Sequence, residues 1–161
     1  MCIRDSPVGS PYTVMIGDLG GGSAANNWAQ NDSNNQKTLI QARDGNGDNA
    51  NLLQLTVDGN QNALGVAGSP RAVVNQVPDQ LEYDPTTGKS ESITLNFSGN
   101  LNQANFTVSR LIASEEGGEV GRWVAMYEGV EVASGTFKLG TGGAGTFSLD
   151  TGTQVFDSIR F

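Results

Sequence analysis

Apolar residues at every second position, in short runs cut by Gly, Asn and Asp, constrain this chain more than any other feature. "SITLNFS" (Ser92 to Ser98) places Ile93, Leu95 and Phe97 on one face of a strand. "ANFTV" repeats the pattern with Ala104, Phe106 and Val108. No window carries the 3.6-residue spacing of an amphipathic helix. Alternation of this kind buries one face and wets the other, so two antiparallel sheets must meet face to face. The spacing predicts an all-β antiparallel β-sandwich, Ig-like or jelly-roll, with few or no helices.

Further runs fit the same plan. "YTVMI" (Tyr12 to Ile16) is β-favouring and is followed by a glycine- and asparagine-rich loop reaching Trp28. "KTLIQAR" (Lys37 to Arg43) and "NLLQLTVD" (Asn51 to Asp58) flank "DGNGDNA", and "DGNQ" turns the chain into "NALGVAG". "VGRWVAMYEGVEVASGTFKL" reads as a hairpin turning at Glu128-Gly129, with Trp123, Ala125 and Tyr127 on one face and Val124 and Met126 on the other. "AGTFSLD" and "QVFDSIRF" complete the series. The opening "MCIRDS" resembles translated sequencing-adaptor read-through of the kind left on metagenomic fragments, so residues 1–6 are set aside as non-native. Residues 7–161 are expected to form a single sandwich domain of a longer multidomain chain, and the ending on Phe161 reads as a truncation in mid-fold.

Composition narrows the chemistry. The chain has no His and a single cysteine, Cys2. Ser-His and Cys-His catalysis, an internal disulfide and thiolate or imidazole zinc sites are thereby excluded. With 17 acidic against 9 basic residues the net charge is -8, which repels phosphate backbones and anionic lipid. Neither nucleic-acid binding nor membrane insertion is expected. A metal held here is a hard cation on oxygen ligands, and Ca2+ leads.

Three acidic groups are candidate sites. In "VPDQLEYDPTTGKSES", Asp79, Glu82, Asp84 and Glu91 gather just ahead of the clearest strand. Carboxylates this close repel unless a cation sits among them, whereas the plain alternative is a charged edge that blocks sheet-to-sheet aggregation. Asp44, Asn46 and Asp48 fall at i, i+2 and i+4, as in a calcium loop, but Leu55 stands where the loop's bidentate Glu belongs, and Asp-Gly is also a strong hairpin turn. Glu115, Glu116 and Glu119 form an acidic loop before Trp123 that either lines a ligand groove or is simply solvated. Asp157 and Trp28 join them as candidate ligand contacts, Trp28 as a surface aromatic in a polar loop, while Trp123 is expected in the core.

The stretch from Asp58 to Phe161 resembles a known family. "ALGVAG", "VPDQLEYDPTTGKSESITLNF", "FTVSRLIASEEGGEVGRWVA" and "GTFSLDTG" running into "FDSIRF" are similar, in order and spacing, to the calcium-dependent ligand-binding β-sandwich modules of very large RTX-type bacterial adhesins, including those described as peptide-binding domains. The resemblance implies that calcium supports the loops at one end and takes part in ligand capture, which would make Asp79, Glu82, Asp84 and Glu91 a cation site. It does not extend to Asp44, Asn46 and Asp48. The expectation is a non-catalytic, secreted or cell-surface adhesion module for a peptide or carbohydrate on a cell or host surface. A jelly-roll hydrolase using a Glu pair, or a structural spacer, stands as the alternative.

Overall fold

The computed structural model describes residues 2–4, 13–15, 23–24, 28–31, 37–57, 61–67, 81, 83–84, 87–109, 120–138 and 144–161. The strands are β1 (Cys2–Arg4), β2 (Thr13–Met15), β3 (Ser23–Ala24), β4 (Trp28–Asn31), β5 (Lys37–Arg43), β6 (Asn49–Ala50), β7 (Leu52–Val57) and β8 (Gln61–Val66). They continue as β9 (Tyr83–Asp84), β10 (Lys89–Ser90), β11 (Ser92–Leu101), β12 (Gln103–Ser109), β13 (Gly121–Tyr127), β14 (Val130–Phe137), β15 (Ala144–Asp150) and β16 (Phe156–Arg160). Every pairing among them is antiparallel. No helix among the described residues is long and apolar enough to cross a membrane.

A seven-stranded sheet in the order β14-β13-β16-β11-β5-β4, with β6 added to β5, forms one layer. Its register follows from the alternation seen in sequence: Leu95 lies between Ile40 and Ile159, and Ile159 also faces Ala125. These four residues occupy one face and are fully buried. Ile93 and Phe97, two positions either side of Leu95, extend the same apolar stripe. Slipping β11 by one residue would turn all of it to solvent, so burial itself fixes the register.

The β12–β15 ribbon and the β3-β7-β8 sheet meet this face through a continuous core. The ribbon contributes Ala104, Phe106 and Leu149, and β7 and β8 contribute Leu52 and Val66. Phe106, 1% exposed, meets three other rings, with centroids 5.3 Å from Phe137, 5.7 Å from Phe147 and 4.7 Å from Phe161. Phe137 and Phe147 close the group at 4.9 Å. A second pair, Phe97 and Phe156 at 6.3 Å, packs edge to face. All 6 phenylalanines of the chain thus take part in ring contacts: the Phe106 group joins the ribbon to the sheet, and Phe97–Phe156 packs within the sheet's own inner face.

The all-β antiparallel sandwich expected from the pattern is the fold observed. The expected hairpin turns at Glu128 (φ 51°) and Gly129 (φ 79°), two successive left-handed residues matching the right-handed twist of β13 and β14. Glu128 tolerates this conformation with help from β16, whose Asp157 Oδ2 accepts the Glu128 N–H at 2.8 Å. Trp123 packs against the core, as expected. Cys2–Arg4, set aside in the sequence reading, pairs with Thr13–Met15.

Close approach of β13 and β14 depends on a missing side chain. A Cβ on Gly121 would lie 2.0 Å from the Phe137 ring, which is wedged between Phe106 and Phe147 and has nowhere to go. Gly121→Ala should therefore destabilise the fold by about 1–3 kcal/mol, the usual range for overpacking. Urea unfolding followed by tryptophan fluorescence measures it, and an unchanged midpoint would mean that β13 and β14 do not pair in this register.

Candidate functional site

Four neighbouring inner strands, β5, β11, β16 and β13, bring their ends together at one end of the seven-stranded sheet. Arg43 ends β5 and pairs with Ser92 at the start of β11. Arg160 ends β16, flanked by Thr94 of β11 and Val124 of β13. Arg122 lies two residues before Val124, on the same face and diagonal to Arg160. Antiparallel pairing thus gathers three guanidinium groups that are far apart in sequence onto the outer face of the sheet. All three arginines are exposed.

Between them opens a partly enclosed cleft of about 440 Å³. Arg43, Arg122, Arg160, Asp44 and Glu91 line it with charge. Ser90 and Ser92 also line it, and Val124 and Phe161 border it, Phe161 with its ring packed against Phe106. Phe161 is fixed there by two backbone hydrogen bonds with Ile93, of 3.0 and 2.9 Å. Glu91 is only 3% exposed although it borders the cleft. The three exposed arginines make the solvent side of the lining positive, Glu91 being held almost wholly out of water.

The hairpin from β5 to β6 forms one rim. Asp44 Oδ1 accepts the N–H groups of Asn46 (2.8 Å) and Asp48 (3.0 Å), and the Asp44 N–H donates to the Asp48 carbonyl at 3.0 Å. Gly47, at φ 85°, supplies the left-handed residue that this turn requires. Arg43 braces the turn by donating through Nη1 to the Asn49 side chain. Asn46 Oδ1 accepts from Lys89 Nζ at 2.6 Å, tying the hairpin to β10. Lys89 in turn sits opposite Asp84 in the β9–β10 pair.

Two acidic groups read separately in sequence therefore meet in space. Asp44 and Glu91 line one cleft, and Asn46 is joined through Lys89 to the segment carrying Asp84. Asp48 is exposed in the hairpin. Asp157 lies elsewhere: three residues before Arg160 on β16, it uses Oδ2 for the Glu128 N–H and Oδ1 for the Ser158 hydroxyl at 3.0 Å. Trp28, expected in a polar loop, instead begins β4 and pairs with Ile40, because β4 takes its register from the neighbouring β5. Asp79, Glu82, Glu115, Glu116 and Glu119 lie outside the described residues. Among the described residues no three Cys, Asp or Glu side chains converge in a group able to hold a metal ion.

The arginines and serines of the cleft went unnoticed in the sequence. Their signal is parity: Arg43, Ser92, Arg122 and Arg160 all occupy outward positions of alternating strands, but only the cross-strand register makes them neighbours. Comparison with protein-family models, with curated proteins and with solved structures gives no significant match.

Asp44 can serve as turn former, as ion ligand, or as both, and two substitutions separate these roles. Asp44→Asn keeps the side-chain oxygen that accepts both N–H groups, whereas Asp44→Ala removes it. If the turn is the role, Asp44→Ala should cost roughly 1–2 kcal/mol and Asp44→Asn much less, as read by urea unfolding. Equal losses that appear only in calcium-containing buffer would instead assign the carboxylate to an ion.

Proposed function

We propose that the chain is a non-catalytic, extracellular binding module of the RTX adhesin type, whose acidic loops hold calcium and whose sandwich end presents a cleft to a peptide or glycan on another cell or surface. The observation that carries this reading is the cleft itself. It is half open, of a size that takes part of a ligand, and built on strand ends of a rigid sheet, with polar groups converging from β5, β11, β13 and β16. The secreted or cell-surface setting rests on the family resemblance, together with the acidic, loop-rich composition.

The charges divide the work between the cleft and the loops beside it. A net positive lining repels a bare divalent cation. The calcium of this reading therefore belongs to the acidic segment ahead of β10, with Asp79, Glu82 and Asp84, and the ligand to the arginine-lined cleft. A cation held by those carboxylates would act on the stretch that leads into Ser90 and Glu91, two residues that line the cleft.

One observation favours a second reading. Asp44 and Glu91 both border the cleft, and glycoside hydrolysis uses two carboxyl groups about 5–9 Å apart. Asp44, however, spends an oxygen on two N–H groups of its own turn, which aims it at the hairpin and away from a substrate. Binding without turnover is the better fit.

Thermal melts with calcium titrated against a chelator test the proposal, since an ion held only by the native state raises the midpoint. A rise that saturates in the micromolar to millimolar range, lost when Glu82 and Asp84 become Gln and Asn, is the expected result. A well-folded sample with no shift would remove calcium from the reading.

A further inference from the structure

We infer that β14 pairs with the β14 of a second copy of this chain, antiparallel about a two-fold axis at Gly135, so that Glu131 of each copy meets Lys138 of the other. The inference goes beyond the binding-module reading and depends on neither the calcium nor the ligand of the cleft.

The strand is open and long enough to pair. β14 is the last strand on one side of the seven-stranded sheet, and among the described residues it is bonded to β13 alone. Its eight residues contain no proline. An edge of this kind offers a row of backbone N–H and C=O groups to an extended strand of fitting pattern. The apolar surface beside it is incompletely covered: Val130 is 67% exposed, and Val132, Ala133 and Trp123 are half-buried. The Trp123 indole lies across Gly135, with Cζ2 2.8 Å from where a Cβ would stand.

Charge selects the partner. The described residues of the β13–β14 hairpin, with its turn and flanks, and of β16 carry six charges, fully sorted by sign. Arg122, Lys138 and Arg160 lie at one end of these strands, and Glu128, Glu131 and Asp157 at the other. Along the edge itself Glu131 comes first and Lys138 last, both exposed and neither in an ion pair among the described residues. A parallel copy would set like charge beside like. An antiparallel copy sets each carboxylate beside an ammonium, twice per dimer. The charges that guard this edge against other strands therefore fit its own copy.

Parity fixes the register. Glu131, Ser134 and Thr136 pair with Met126, Val124 and Arg122, so they share the outer face, and Lys138, two residues beyond Thr136, follows them. Val132 is the extra residue of a bulge, left over between the Ala133–Ala125 and Glu131–Met126 pairs. A two-fold axis at Gly135 sets Ser134 opposite Thr136 and Ala133 opposite Phe137, and the bulge then brings Glu131 opposite Lys138. Two glycines meeting at the axis leave room for the two Trp123 rings to approach across it. The axis occupies the β14 edge of both copies, so assembly stops at the dimer.

Sedimentation velocity of the 161-residue chain over a concentration series tests the inference. At about 0.15 M salt, a Debye length of about 8 Å screens the net charge of -8 on each copy more than it screens pairs in contact. A reversible monomer–dimer equilibrium with no larger species is expected. Glu131→Lys and Lys138→Glu, each alone, make both pairs of the dimer repulsive and should weaken it by about tenfold or more. An equimolar mixture of the two variants should dimerise as the parent does, because each copy then meets the opposite charge. Both side chains are exposed, so the melting midpoints of the variants should match the parent's. A chain that stays monomeric at about 1 mM would overturn the inference. So would growth past the dimer, a dimer that both single variants leave unchanged, or a mixture that associates no better than either variant alone.

Discussion

The contact of Phe106 with Phe137, Phe147 and Phe161 is the constraint on which the rest of the molecule depends. Among the described residues the β12–β15 ribbon shares no strand pairing with the seven-stranded sheet; beyond the chain connections at Asn102 and 151–155, side-chain packing holds the two together. Each buried Phe contributes roughly 1.5–3 kcal/mol by area, and ring pairs add to that. With native stability only about 5–15 kcal/mol in total, the three rings gathered round Phe106 carry a large share of the joint. Their placement also sets the sheet's outline: Gly121 is small because Phe137 fills the space above it, and Phe161 is drawn inward at the end of β16.

Much of this architecture was legible in the residues. Ile93, Leu95 and Phe97 alternate without interruption, and a half-buried strand has only one register that hides them all. Lys37 to Arg43 and Glu128-Gly129 were read correctly for the same kind of reason: a local rule was strong and nothing tertiary opposed it. Trp28 shows the opposite case. Its neighbours are polar and loop-like, and it becomes a strand residue only because β5 offers an unpaired edge, which no local rule can reveal.

The candidate site was legible only in part. The Asp44 and Glu91 groups could be nominated from their spacing, since crowded carboxylates are a local property. Their sharing of one cleft was not visible, because it depends on β5 lying beside β11, which brings Asp44 and Glu91 together across 46 intervening residues, and on Lys89 reaching Asn46. The arginines were missed because a single outward-facing Arg in a strand is unremarkable. Three become a feature only when antiparallel pairing brings the end of β5, early in the chain, beside β13 and β16 from its last third. Overall charge misled as well: a net value of -8 suggests cations as natural partners, yet three arginines line the cleft at these strand ends.

Phe161 occupies a peculiar position. One edge of its ring meets Phe106 in the interior, the residue borders the cleft, and its amide and carbonyl are both bonded to Ile93. A cleft occupant that restrains Phe161 therefore also restrains the aromatic joint between the layers. Amide hydrogen exchange at Ile93 and Phe161 would slow together with protection deep in β12, even though the occupant touches only the outside of the sheet. The same linkage runs in reverse, so loosening the interior rings would be felt at the surface as a less well-formed wall.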